Sequence, residues 1–104
     1  MGDITKYQIG AVIHHKLFDY RGVIVDVDPE FQNTEAWYLL MTRSKPDKQQ
    51  PWYHVLVDNT DYVTYVAEQN LELDTLSQPI HHPKLNKYFK TLKNGCYLPK
   101  SKLN

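Results

Sequence analysis

Two stretches of β-strand character, residues 20–29 and 50–58, constrain the fold of this chain more than any other feature. In the first, Val23, Val25 and Val27 are predicted to share one face of a strand, because side chains alternate between faces. The Asp-Pro step that closes it ends the strand, since proline has no amide hydrogen to donate. The second stretch carries apolar side chains on both faces. That pattern is typical of a strand in a covered or closed sheet.

Shorter elements surround these two strands. Further strands are predicted over residues 9–17, 62–67 and 71–73, and Asn33 or Thr34 can cap a helix over residues 35–41. In the first strand Ile9, Ala11, Ile13 and His15 share one face, and in the helix Trp37, Leu40 and Met41 are expected to pack on the sheet. Five short strands and one small helix indicate a small barrel, open or closed.

The bulk properties are those of one soluble domain. The chain has 104 residues, and its 41% hydrophobic and 23% charged content are ordinary for a globular protein. No apolar stretch is long enough to span a bilayer, and the first residues lack an apolar signal core. Cys96 is the single cysteine, so an intrachain disulfide is excluded. A cytoplasmic location is therefore expected.

Charge is distributed unevenly although it sums to zero. Residues 1–75 hold twelve acidic and six basic side chains, a net charge of −6, whereas residues 76–104 hold six lysines and no acid, a net charge of +6. Lys84, Lys87, Lys90 and Lys93 would line one face of a helix. This asymmetry points to an anionic partner, which could be nucleic acid, the protein's own acidic body or a second copy in a homo-oligomer. The alternative is that the lysines only form the solvated face of a helix.

Three blocks of the sequence resemble a known family. They read HKLFDYRGVIVDVDP at residues 15–29, QPWYHVL at 50–56 and YVAEQNL at 65–71. In order and spacing they are similar to the heat-shock protein HspQ family, also called YccV-like or the hemimethylated-DNA-binding domain. The resemblance implies a single domain over residues 1–104, with an SH3-like β-barrel over about 7–75 and a basic C-terminal segment over about 76–104. It also implies a bacterial stress-response protein that binds hemimethylated DNA or acts in regulated proteolysis.

Catalysis, cofactors and metals are not expected. The chain has no nucleophile motif and no glycine-rich phosphate loop, and Asp26 and Asp28 fall on a strand end that faces solvent. The five histidines, which include the adjacent pairs His14-His15 and His81-His82, lack the spacing of a metal site. His15 and His54 are predicted to be partnered side chains at the barrel rim, where they are also candidates for contact with DNA or a protein partner.

DNA binding has identifiable candidate residues. Gln69 and Asn70 are of the types that read adenine in the major groove, and Tyr65, Trp52 or Tyr53 could cover a methyl group. The alternative is that the Gln-Asn pair simply closes a turn. Because residues 1–75 carry a net charge of −6, phosphate contacts can come only from a few cations. The candidates are Arg21, Arg43, Lys16, Lys45, Lys48 and the lysines of the C-terminal segment, which include Lys84 and Lys87.

Protein binding is the competing function. The residue types favoured at interface hot spots are represented by Trp52, Tyr53, Tyr62, Tyr65 and Tyr20, together with Arg21. A free strand edge could also accept a partner strand. On this reading the chain is an adaptor or modulator of an ATP-dependent protease. Equally, the aromatic residues could be core.

Overall fold

The computed structural model describes residues 5–100, which form a five-stranded antiparallel sheet and a second, two-stranded sheet. In chain order the elements are β1 (Val12–His15), β2 (Arg21–Asp28), α1 (Glu35–Met41), β3 (Trp52–Val57), β4 (Val63–Ala67), a 3₁₀ turn (Glu68–Asn70), β5 (Leu71–Leu73), α2 (Leu85–Tyr88), β6 (Phe89–Lys93) and β7 (Cys96–Pro99). The large sheet has the spatial order β4-β3-β2-β1-β5. The predicted mainly β class, with five strands and one short helix before the basic segment, is confirmed. Strand pairing within the described residues leaves β4 and β5 as edges, so hydrogen bonds do not close the barrel.

Both faces of the large sheet are covered. The first core consists of Tyr7, Ala11, Ile13, Ile24, Tyr53, Val55, Val66 and Leu71. The second consists of Val12, Val23 and Leu56 from the sheet, covered by Ile80, Phe89 and Tyr97 from the C-terminal part of the chain. The predicted strand 9–17 is shorter than expected, since β1 has four residues and Ile9 is exposed. Ala11, Ile13 and His15 are buried, and Ala11 and Ile13 both belong to the first core.

A β-bulge in β2 changes which side chains face each core. Pairing with β3 runs from Ile24 opposite Val55 directly to Asp26 opposite His54, which leaves Val25 as an extra residue. Ile24 and Val27 consequently contact the first core, whereas Val25 packs against the second. The prediction that Val27 shares a face with Val23 and Val25 is therefore wrong.

The helix α1 forms where the sequence predicts it but packs differently. Thr34 caps its start by accepting a hydrogen bond from the Trp37 amide at 3.1 Å. The rings of Trp37 and Tyr38 pack against the sheet side chain Trp52. Leu40 lies two residues, or about 200° of helix rotation, beyond Tyr38 and is 84% exposed. Met41 is also mostly exposed, so the expected packing of these two residues on the sheet is wrong.

The basic segment is mainly a β-hairpin instead of an amphipathic helix. Among its described residues, 76–100, only Leu85–Tyr88 are helical, and β6 begins at Phe89. Asn94 and Gly95 both have positive φ angles, 54° and 77°, in the turn between β6 and β7. An Asn-Gly pair is the preferred two-residue hairpin turn, and it overrides the three-residue spacing of the lysines. The predicted helix through Lys90 and Lys93 is wrong.

Candidate binding surfaces

A groove of about 410 Å³ runs along the free edge of β4. One wall is the β1–β2 loop with Leu17 and Phe18, and the other is α1 and the residues after it, with Trp37 and Met41. We call this surface the aromatic groove. It brings together six of the residues predicted from the sequence to bind DNA or a partner, namely His15, Tyr20, Trp52, His54, Tyr65 and Asn70.

Tyr65 joins the sheet floor of the groove to the loop that leads into α1. Its hydroxyl donates to Asp28 Oδ2 at 2.6 Å and accepts from the Gln32 amide at 3.0 Å. Asp28 Oδ2 also lies 3.3 Å from His54 Nε2. Burial, and then the bond to Asp28, raise the pKa of the Tyr65 hydroxyl, so this side chain stays a neutral donor. The three side chains therefore form a fixed polar cluster under the groove.

His15 shapes the opposite wall from inside. Its Nδ1 accepts hydrogen bonds from the amides of Leu17 and Phe18, both at 3.1 Å, which requires the tautomer protonated on Nε2. The ring also stacks on Phe18 and packs against Tyr20, at centroid distances of 4.7 and 5.0 Å. Burial, and then the nearby His14 charge, lower the pKa of His15. This predicted binding residue is thus a partnered histidine that orders the loop.

Arg21 lies outside the groove and is bound within the protein. Its Nη1 is 3.1 Å from Asp58 Oδ2, and its Nη2 donates to the backbone oxygen of Gln78 at 2.5 Å. Nε lies 3.2 Å from Asp74 Oδ2 at an angle that does not make a hydrogen bond. Asp58 Oδ1 accepts from the His81 amide at 2.7 Å. Arg21 therefore ties the 78–81 loop to the sheet, and a phosphate contact would compete with these bonds.

A second surface is basic. The lysine hairpin, residues 84–100, comprises α2, β6 and β7 and contains no acidic residue. Its five lysines, Lys84, Lys87, Lys90, Lys93 and Lys100, are all exposed. Lys84 and Lys87, which were candidates for phosphate contacts, lie on this surface and do not line the aromatic groove.

Comparison with known proteins gives the family. The model of the family described as hemimethylated DNA-binding protein YccV-like matches residues 5–96. The chain belongs to the YccV-like family. F-box only protein 21 of Mus musculus is 35% identical over 99 residues, which are 93% of this chain and 16% of the mouse protein. A region similar to this chain therefore occurs in a eukaryotic protein, and the chain spans about a sixth of the length of that relative.

The three sequence blocks of this YccV-like chain are neighbours in the structure. Two of them form the adjacent strands β2 and β3, and the third contributes the end of β4 and the 3₁₀ turn. The turn meets the first block again, because the Lys16 amide donates to the Asn70 oxygen at 2.8 Å. Gln69 bonds through both its amide and its side-chain oxygen to the Gln50 side chain, each at 2.8–2.9 Å. These bonds support the turn-closing interpretation of Gln69, whereas the Asn70 side chain lines the groove.

Tyr53 has a core position in the YccV-like fold. It is fully buried, with its hydroxyl donating to Glu68 Oε2 at 2.6 Å and accepting from the Tyr7 amide at 3.1 Å. Trp52 is 1% exposed. Within residues 5–100 no group of three or more His, Cys, Asp or Glu side chains is arranged to hold a metal, and no helix has the length and hydropathy to cross a membrane.

The structure also gives groove positions to residues for which the sequence predicted another role or none. Phe18, which was not predicted to bind, lines the groove together with Arg43, a predicted phosphate contact, and Met41, which was expected to pack on the sheet. Trp37 was expected only to pack on the sheet, and it also forms part of this wall. No local pattern marks these residues, because the two walls come from separate loops of the chain.

Proposed function

We propose that this chain is a non-enzymatic DNA-binding protein that prefers hemimethylated sites, with the lysine hairpin contacting the phosphates. The observation that carries the proposal is the set of five exposed lysines in a segment without a carboxylate. Lysine contacts to phosphate supply most of the affinity of proteins for duplex DNA. The description of the YccV-like family supports DNA as the ligand. A cytoplasmic location and a stress-related role are part of the proposal and rest on the sequence and the resemblance.

A duplex titration tests the DNA proposal. Three duplexes identical in sequence, with one adenine unmethylated, methylated on one strand or methylated on both, are titrated at several salt concentrations. The hemimethylated duplex is expected to bind most tightly. Equal binding of all three, abolished by salt, would mean that the hairpin meets any polyanion and would contradict the proposed preference.

The contribution of the lysine hairpin is tested by substitution. The triple variant combines Lys84→Gln, Lys87→Gln and Lys93→Gln. The slope of log K against log salt is negative, and in this variant it should become less steep by about 0.9 for each phosphate that is no longer neutralised. The matched control removes three positive charges from the body through Lys6→Gln, Lys16→Gln and Arg43→Gln. If the salt dependence of DNA affinity became equally or more shallow in the control, the phosphate contacts would lie outside the lysine hairpin.

A second candidate function is that of a protein-binding adaptor or modulator of an ATP-dependent protease. Leu39, Leu40 and Met41 of α1 are 59%, 84% and 59% exposed and follow one another on the surface. Adjoining exposed apolar side chains are typical of an interaction site. The test is the degradation rate of a model substrate by each ATP-dependent protease of the host, with and without this chain. Leu40→Glu should abolish any effect, whereas a rate that the chain never changes would eliminate this function.

A further inference from the structure

The edge of β4 presents unused backbone hydrogen-bonding groups to the aromatic groove. The amide of Val57 donates to the oxygen of Tyr62 at 3.1 Å, which fixes the phase of the ladder between β3 and β4. Hydrogen-bonded and non-hydrogen-bonded pairs alternate in antiparallel sheets. Val63 and Tyr65 therefore direct their N–H and C=O groups away from β3. No described residue makes a backbone hydrogen bond to these outward groups.

The walls of the groove stand on both faces of this edge. The Thr64 side chain is on the first-core face, where its hydroxyl bonds that of Tyr20 at 2.8 Å. The Tyr65 side chain is on the opposite face, where its ring lies 5.5 Å from that of Trp37. A strand added to β4 would place its alternate side chains against Phe18 on one face and Trp37 on the other.

The charge of the groove selects the partner. Among the described residues 5–100, Arg43 is the only one lining the groove with a permanent charge, and none that lines it is a carboxylate. Residues 1–75 as a whole carry a net charge of −6, so a carboxylate-free groove is a local exception. Lys16 adds an exposed cation next to the Leu17 wall. An acidic group on the partner would be attracted to this end of the groove.

We propose that the aromatic groove binds an extended peptide segment of a partner protein by strand addition to β4. The segment carries alternating apolar side chains and an acidic residue that pairs with Arg43. The proposal deepens the second candidate function, on which it rests, and is independent of DNA binding by the lysine hairpin. Main-chain bonds supply the affinity in this mode of recognition, and side-chain pockets supply the specificity.

The geometry favours a single extended chain over the other occupants. A nucleic acid needs many cations along its backbone, and the part of the chain that the structure describes supplies one permanent charge to the groove lining. A symmetric dimer through this edge would bring the β4 edge of a second copy into the groove. Both edges lie between walls, so the walls of the two copies would meet first. A free peptide strand has no such walls.

A peptide selection tests the proposal. Seven-residue peptides displayed on phage are selected against the full chain, and the enriched sequence is synthesised with a fluorophore for anisotropy titration. The enriched peptides should alternate apolar side chains and contain Asp or Glu. Methylation of the peptide's backbone nitrogens, one at a time, should weaken binding about tenfold at every second position only, because alternate amides point at β4.

Two substitutions in the protein locate the peptide. Val63→Pro removes one outward N–H without breaking a bond to β3, since proline is tolerated at such edge positions. It should weaken binding about tenfold, whereas its control Val63→Thr, which keeps the N–H, should not. Arg43→Glu should weaken the binding of peptides that contain an acidic residue and strengthen the binding of the same peptides with lysine in its place. Thermal unfolding of each variant verifies that it is folded.

Several outcomes would overturn the proposal. They are a failure to enrich peptides, methylation effects without a two-residue period, and insensitivity to Val63→Pro. If an oligonucleotide displaced the peptide and Arg43→Glu weakened the binding of that oligonucleotide, nucleic acid would be the ligand of the groove. A dimer that Val63→Pro dissociates would assign the edge to self-association. Failure of the DNA proposal is distinguishable, because it is measured on the lysine hairpin variants.

Discussion

At the scale of single residues, the fold favours protonation of His14 and disfavours protonation of the adjacent His15. His14 lies between Asp19 and Glu72, with ring nitrogens 2.6 and 2.7 Å from their carboxylates. The hydrogen bond to Asp19, followed by that to Glu72, raises the pKa of His14. Protonation of His15 at Nδ1 would instead break the two amide bonds that hold the Leu17–Phe18 wall.

The pH dependence of stability should separate these two residues. His14 stabilises the fold below its unfolded pKa of about 6.5, and this contribution disappears as pH rises through its raised folded pKa. His15 has a lowered folded pKa, so it costs stability as pH falls below about 6.5. Urea unfolding of His14→Gln should therefore show a steeper loss of stability on acidification than the original protein. His15→Gln should show a shallower one.

The comparison is made between about pH 5.5 and 8, above the range in which most carboxylates titrate. His81→Gln is a suitable control because this side chain is exposed. Its Nδ1 lies 3.7 Å from Asp58 Oδ1, which is too far for a hydrogen bond. If both substitutions changed the slope in the same direction, the assigned roles of the two histidines would be wrong.

At the scale of elements, one short junction joins the two sheets. Ala11 pairs with Cys96, and the Tyr97 amide donates to the Gly10 oxygen at 2.7 Å. Gly10 has a φ of +96°, and a Cβ atom there would lie 2.2 Å from the Tyr97 oxygen. The backbone of the lysine hairpin can therefore approach residue 10 this closely only because residue 10 has no side chain.

Gly10→Ala and Gly95→Ala form a matched pair. Gly95 also has a positive φ, +77°, but a Cβ atom would meet nothing within 4 Å. Gly95→Ala should cost about 1 kcal/mol through backbone strain alone. Gly10→Ala should cost about 2 kcal/mol more, because the Tyr97 backbone must move and its bond weakens. Urea unfolding measures both, and equal costs would show that the junction tolerates a side chain.

Local signals predicted the elements better than their packing. The cap at Thr34 and the apolar run after it located α1, and the alternation in residues 50–58 located β3. The bulge at Val25 could not be anticipated, because it depends on how β2 pairs with a strand 30 residues later. The Asn94-Gly95 turn was a readable hairpin signal, but the lysine spacing obscured it.

The same limit applies to the aromatic groove. Six of its residues are candidates from the sequence, among them Trp52 and two tyrosines as residue types favoured at interface hot spots and Asn70 as a type that reads adenine. Their convergence on one edge, with Trp37 and Phe18 as walls, follows from tertiary contacts between separate segments. Sequence could therefore identify candidate residues but could not distinguish the groove from the core, where Tyr53 lies.

At the scale of the whole molecule, the basic segment is both a charged surface and a cover for the sheet. Phe89 and Tyr97 lie over Val23 and Leu56, both of which are fully buried. The Ile80 amide donates to the Tyr97 hydroxyl at 2.8 Å within this core. Removing residues 84–104 would therefore expose the second core as well as delete the lysines. Charge substitutions can examine DNA binding without this loss of stability.

The covering role can be measured at Phe89. Phe89→Ala should lower the free energy of unfolding by about 3–5 kcal/mol, because it removes a ring that is 2% exposed and leaves a cavity over the sheet. Leu98→Ala in the paired strand is the control, since Leu98 is 41% exposed and should cost about 0.5 kcal/mol or less. A single cooperative transition in urea, in which the aromatic groove and the lysine hairpin unfold together, is expected for the original protein. Two separate transitions, or a Phe89→Ala variant as stable as the control, would mean that the hairpin folds apart from the large sheet, and the second core would then contribute little to stability.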